Sequence, residues 1–166
     1  MEKKIEKKKT TKPVEELLKE KKIYEIVNPK LVQAPHTITI QAAVDLMQQN
    51  KSGYVVLAKA KKVFGLFTET DMINKVLEKE SDWSKPASEF MTKDWCTLKM
   101  TDSAGQAIDM MSEKKFYHIP LVDENDNLVN VISVRTLTRF LAEFYPTEIY
   151  NLPPRFNQVM ETQEGG

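Results

Sequence analysis

The chain has one cysteine, two histidines, no long apolar run and no net charge. A lone Cys96 can form neither an internal disulfide nor a cysteine-rich zinc site, which fits a reducing compartment and points to the cytoplasm. No stretch approaches the roughly 18 consecutive apolar residues of a membrane span. The lysine-rich beginning resembles the basic start of a signal peptide, but no apolar stretch follows it, so export is not expected. With 24 basic against 24 acidic side chains, the 166-residue chain lacks the basic excess of a nucleic-acid binder. His36 and His118 have no obvious partner. No paired acids, no Ser/His or Cys/His constellation and no metal-ligand spacing occur, so no catalytic residue or metal site is assigned and no enzyme is expected. What is present, 41% hydrophobic and 29% charged residues, describes a folded globular protein. Its length suits one domain or two small units sharing a core.

The zero charge is an average over unlike parts. Residues 1–30 hold ten lysines and six glutamates, a net of +4, so the remaining 136 carry −4. Residues 1–12 read as a disordered basic tail that stays solvated, with an electrostatic contact to nucleic acid or acidic lipid as the other reading. Residues 13–29 carry apolar side chains at helical spacing, from Val14 to Val27, and predict a lead-in helix stopped at Asn28–Pro29. A first unit is expected over 30–80, a linker with a short helical stretch over 81–95, a second unit over 96–142, and a C-terminal arm over 143–166.

The two units are copies. AAVDLM (42–47) aligns with QAIDMM (106–111), and YVVLA (54–58) with HIPLV (118–122), both at an offset of 64. VFGLFTETD (63–71) aligns with LVNVISVRT (128–136) at 65, the extra residue falling in the acidic turn DENDN (123–127). Insertions settle in turns because the flanking strands are indifferent to turn length. Each copy reads helix, strand, turn, strand, helix, with a short lead strand before it. A unit of about 60 residues is small for an independent core, so the copies are expected to pack through their sheets as a pseudo-twofold pair with clefts at the junction.

Gly65-Leu66-Phe67-Thr68-Glu69-Thr70-Asp71, its relative Asn130-Val131-Ile132-Ser133-Val134-Arg135-Thr136, the segment EFMTKDW (89–95) and the run YHIPLVDENDNLVNVIS (117–133) together carry a resemblance. They resemble a tandem pair of CBS domains (cystathionine-β-synthase-type domains), a Bateman module of the stand-alone bacterial type, over about residues 23–142. The resemblance implies an α/β (α+β) fold of two repeated β-α-β-β-α units. It implies clefts that bind AMP, ADP, ATP or S-adenosylmethionine as a regulatory ligand, with no cofactor required. It also implies dimerisation and a non-enzymatic, regulatory role.

The signature has two physical readings. In one, the Thr68 hydroxyl and free N–H groups of the following helix receive a phosphate, while Asp71, one turn on, accepts hydrogen bonds from two ribose hydroxyls. In the other, Thr68 and Asp71 merely cap that helix. In the second copy Ser133 keeps the hydroxyl but Thr136 replaces the carboxylate, so a single competent cleft is expected. Asn130 replaces Gly65, which puts a close backbone approach there in doubt. Tyr117 and His118 stand where the family often has a phosphate-binding arginine, and Tyr54 matches His118 in the first copy. By analogy, an adenine slot would use Val32, Ala34, Tyr54 and Val55. A degraded second site would use Ser133, Thr136, His118, Tyr117 and Thr97. His118 reads either as a pH-sensitive phosphate partner or as a packed edge residue. Lys51, Lys114, Lys115 and Arg135 are spare cations nearby.

In the arm, Phe144, Tyr145, Ile149, Tyr150 and Phe156 are too apolar for a free tail, and a homodimer contact is expected. An effector protein is expected; nucleic acid and membrane are not. The competing function is a ligand-free dimerisation or interaction scaffold.

Overall fold

A computed structural model describes residues 14–144; the expected basic tail and nearly all of the C-terminal arm lie outside the described residues. The lead-in over 13–29 is not one helix. It comprises α1 (Val14–Glu20) and a single 3₁₀ turn at Ile23–Glu25, broken at Lys22, whose backbone is extended. The break follows from a distant contact: the Ile23 N–H donates to the Asp102 carbonyl at 2.9 Å, and Ile23 is fully buried.

The first unit then runs β1 (Gln33–Pro35), α2 (Ile40–Asn50), β2 (Tyr54–Lys59), β3 (Lys62–Thr68) and α3 (Glu69–Asp71), which widens at once into a π-helix over Met72–Leu77. After a 3₁₀ turn at Ala87–Glu89, the second unit runs β4 (Leu98–Lys99), α4 (Ala104–Lys114), β5 (His118–Val122), β6 (Leu128–Ser133) and α5 (Val134–Phe144). In each unit the lead strand lies parallel to the next, and the last two strands form an antiparallel hairpin.

The repeat persists into details that no apolar pattern encodes. Thr39 and Ser103 each cap a helix by accepting from the N–H three residues on, that of Ala42 or Gln106. Lys51 and Lys115 end those helices in the left-handed conformation, at φ 51° and 57°. The strand register slips between Leu57 and Ala58 in one hairpin and between Leu121 and Val122 in the other. Each pair is 64 residues apart.

The units are strapped crosswise. Ala87 and Met91 belong to the core built by α2, β2 and β3, whereas Ile23, with Leu18, Ile26 and Val27 against it, belongs to the core built by α4, β5 and β6. Two isolated bridges mark the crossing, Thr39 with Pro86 and Lys22 with Ser103, again related by 64. Thus the segment before the first unit completes the second. Burying Ile23 contributes about 1.5–3 kcal/mol to that union.

Between the units, Val56, Leu66, Pro120 and Val131 are buried yet belong to neither core. They alternate along their strands with core residues, so they line the opposite, facing surfaces of the two sheets. The Tyr54 and His118 rings meet there with centroids 4.8 Å apart. These residues occupy the same place in the two copies, so their contact lies on the pseudo-twofold axis. The Leu128 N–H donates to the Lys61 carbonyl at 2.8 Å, closing the pair at the far end of the hairpins.

Candidate functional site

β3 delivers the signature to the edge of this junction. Gly65, Leu66 and Phe67 are buried, and Thr68 ends the strand half-buried with an extended backbone. The Thr68 Oγ1 donates to Asp71 Oδ2 at 2.7 Å, the Thr68 N–H donates to the same oxygen at 3.0 Å, and the Asp71 N–H donates back to Thr68 Oγ1 at 3.2 Å. Two further donors reach the carboxylate: Lys75 Nζ at 2.5 Å from Oδ1, and the Thr92 hydroxyl at 3.0 and 3.2 Å from the two oxygens. Asp71 is only 3% exposed. Its acceptor capacity is therefore taken by a reciprocal cap, a lysine and the strap. A ribose would reach the Asp71 carboxylate, the acceptor expected from the signature, only by displacing Thr92 or Lys75. Two of the helix-start N–H groups expected to hold phosphate are engaged, Glu69 N–H with the Gly53 carbonyl at 3.0 Å and Asp71 N–H with Thr68.

Gly65 is a packing position. A Cβ there would overlap the Met91 thioether of the strap, so the room it leaves is used by the protein itself. In the second copy Asn130 stands where Gly65 does in the first. Asn130 is 5% exposed, its Nδ2 donates to the Asn28 carbonyl at 2.9 Å, and its Oδ1 accepts from the Val131 N–H. Ser133 and Thr136 repeat the cap with hydroxyls alone, 3.0 Å apart.

A cleft of about 320 Å³ opens beside Thr68. The first unit lines it with Gly53, Leu66, Thr68, Glu69 and Thr70; the linker adds Thr92, Asp94 and Trp95; the second unit adds Lys115, Phe116, Tyr117 and His118. The residues thus regroup. Tyr117 and His118, expected in a degraded second site, share this cleft with Thr68, because the twofold sets the end of β3 against the start of β5 of the other unit. Ser133 does not line this cleft, Thr136 lines a separate groove between α5 and residues 25–29, and Thr97 lines a third recess beside Lys62 and Trp95.

Three of the four residues expected at an adenine slot turn their side chains into the core. Val32, Ala34 and Val55 are 5%, 7% and 0% exposed and sit in the core of the first unit. They are adjacent to β-strand hydrogen bonding but point inward. Tyr54 reaches the junction, where burial pushes its hydroxyl up to about 12. Burial holds the His118 imidazole down at about 4, so it is neutral near pH 7 and supplies no phosphate-pairing charge. Glu69, Thr70, Asp94 and Trp95 lie inside the motifs that carry the resemblance but have no site role there, and Phe116 lies outside them; only the unit-to-unit docking brings them together.

The CBS domain family model matches residues 23–78 and 87–143, and the chain belongs to this family. The two matches begin at Ile23 and Ala87, the paired strap residues. Among curated proteins, an uncharacterised 17.7 kDa protein of Acidianus ambivalens is 27% identical over 125 residues, 75% of each chain. The inosine-5′-monophosphate dehydrogenase of Aquifex aeolicus is 30% identical over 116 residues, 69% of this chain but 23% of that enzyme. Among solved structures, a CBS domain protein from Pyrobaculum aerophilum complexed with AMP superposes with a TM-score of 0.67 at 24% identity, covering 75% of this chain and 98% of that one. The CBS domain pair of protein MJ0100, in complex with 5′-methylthioadenosine and S-adenosyl-L-methionine, gives 0.67 at 19% identity, covering 74% and 96%. These likenesses establish the fold: two repeated α/β units docked through their sheets. No helix among the described residues is long and apolar enough to cross a membrane.

Proposed function

We propose that the protein is a regulatory module that binds an adenosine-containing ligand, of the AMP, ADP, ATP or S-adenosylmethionine class, and passes its occupancy to an effector protein. The observation that carries this reading is the cleft. It joins the Thr68 signature of one unit to the Lys115–His118 segment of the other, so a ligand there contacts both units and the linker between them. Two structurally similar proteins were solved in complex with AMP or with S-adenosylmethionine, which supports the ligand class. The similarity to inosine-5′-monophosphate dehydrogenase spans under a quarter of that enzyme, which supports a binding role without catalysis. A cytoplasmic homodimer is part of the same reading.

Thermal unfolding of the full chain with each ligand tests it. A ligand at a hundred times its Kd stabilises the folded state by about 2.7 kcal/mol, a readily measured shift. Thr68→Val should remove the shift, because it removes a cleft hydroxyl. No shift with any of the four at millimolar concentration would sink the reading.

A second reading rests on one observation. The Asp71 carboxylate is already saturated by Thr68, Thr92 and Lys75. A scaffold that kept the fold and lost its ligand would look this way, with Asp71 locking the strap in place.

A further inference from the structure

The ionic lining of the cleft is lopsided. Glu69 and Asp94 both line it, both are exposed, and neither forms an ion pair among the described residues. The lining cation is Lys115 alone. Lys75, the nearest other cation of the signature helix, is held by Asp71 and by the Met91 carbonyl. His118 adds no charge near neutral pH, since burial keeps it deprotonated. The walls beside these carboxylates are aromatic: Trp95, Phe116 and Tyr117. Such a lining repels a polyphosphate, whose several negative charges would meet two carboxylates and one flexible lysine. The same lining suits a flat purine against aromatic faces, and a cationic substituent between carboxylates and aromatic rings.

We propose that the cleft selects among adenosine-containing ligands by charge, accepting neutral or cationic ones and rejecting polyphosphates, with Glu69 and Asp94 as the specificity-determining residues. This inference rests on the reading of the cleft as an adenosine site. Glu69 starts α3, where an acid is also favoured by the helix N-terminus, but that placement does not require its carboxylate to line the junction. Asp94 has no capping partner among the described hydrogen bonds, which leaves its exposed carboxylate available to the cleft.

Titration calorimetry on the full chain decides it, with adenosine, S-adenosylmethionine, AMP and ATP as probes at low and at physiological salt. ATP is expected to bind at least about tenfold more weakly than adenosine at low salt, with the gap closing as ions screen the carboxylates. S-adenosylmethionine should show the opposite salt trend, weakening as salt rises. In the Glu69→Gln, Asp94→Asn double variant, the ratio of ATP to adenosine affinity should rise by about tenfold, because both repelling charges are gone. ATP binding as tightly as adenosine at low salt, or a ratio unmoved in the double variant, overturns the charge inference and leaves the adenosine reading standing. Failure of all four probes to bind overturns the adenosine reading itself, and this inference with it.

Discussion

Replacing Asp71 with alanine should destabilise the protein even with no ligand added. The side chain is almost fully buried and accepts from four donors: the Thr68 N–H, the Thr68 hydroxyl, the Thr92 hydroxyl and Lys75. A hydrogen bond to a charged group contributes about 1.5–3 kcal/mol, but bonds sharing one acceptor group are not additive. Lys75 is 41% exposed and can turn to water once released, so its share is discounted. Thr68 and Thr92 are half-buried, and their orphaned donors recover only part of their hydration. The expected loss is about 3 kcal/mol, with a fall in Tm of roughly 6–12 °C for a chain of this size. Thr136→Ala is the internal control, since the matching side chain of the second copy meets only the Ser133 hydroxyl. It should cost about 0.5–1.5 kcal/mol. Urea unfolding of both variants, followed by circular dichroism, makes the comparison. Equal losses at the two positions would refute the reasoning that Asp71 anchors the strap. They would return it to the role of a free acceptor awaiting a ligand.

Other expectations follow from the same contacts. Ile23→Ala should cost about 2–4 kcal/mol, because it opens a cavity in the second unit's core, while Tyr24→Ala, at a 56% exposed neighbour, should cost little; urea midpoints compare the two. Gly65→Ala should lose about 1–3 kcal/mol by displacing Met91, whereas Lys115→Gly should gain up to about 1 kcal/mol by relieving a left-handed non-glycine residue, both read from Tm. For His118, the folded imidazole titrates near 4 and the unfolded one near 6.5, so protons bind the unfolded chain first as pH falls. Stability should be full above pH 6.5 and fall by about 3 kcal/mol on reaching pH 4, a dependence that His118→Phe should largely abolish in urea titrations run across that range.

Several features were legible without coordinates because they depend on local patterns. The buried stripe of α2 and α4, the apolar runs that became β2 and β5, and the offset of 64 between them all follow from side-chain periodicity along the chain. The cap at Thr68 was legible for the same reason: a hydroxyl three residues before an acid is a short-range relation. The break at Lys22 was not. Ile23 and Ile26 keep helical spacing with Val14 and Leu18, and only the remote Asp102 carbonyl and the second unit's core pull that segment away from α1. Val32, Ala34 and Val55 show the limit from the other side. Analogy with the family suggested them for an adenine slot, yet alternation along a strand turns such residues to whichever face the packing supplies.

The sequence by itself determined a duplicated α/β unit of one size, the cap at Thr68, its near-neutral sum of unlike parts, and the family to which it belongs. Those depend on neighbours within a few residues or on repetition, both of which a linear chain displays. The tertiary structure alone decided which copy each lead segment serves, that Asp71 is consumed by Thr92 and Lys75, and that Tyr117 and His118 share a cleft with Thr68. The reason is symmetry. A twofold between copies brings unlike parts of the repeat together, so contacts across it join residues that the aligned sequence sets apart.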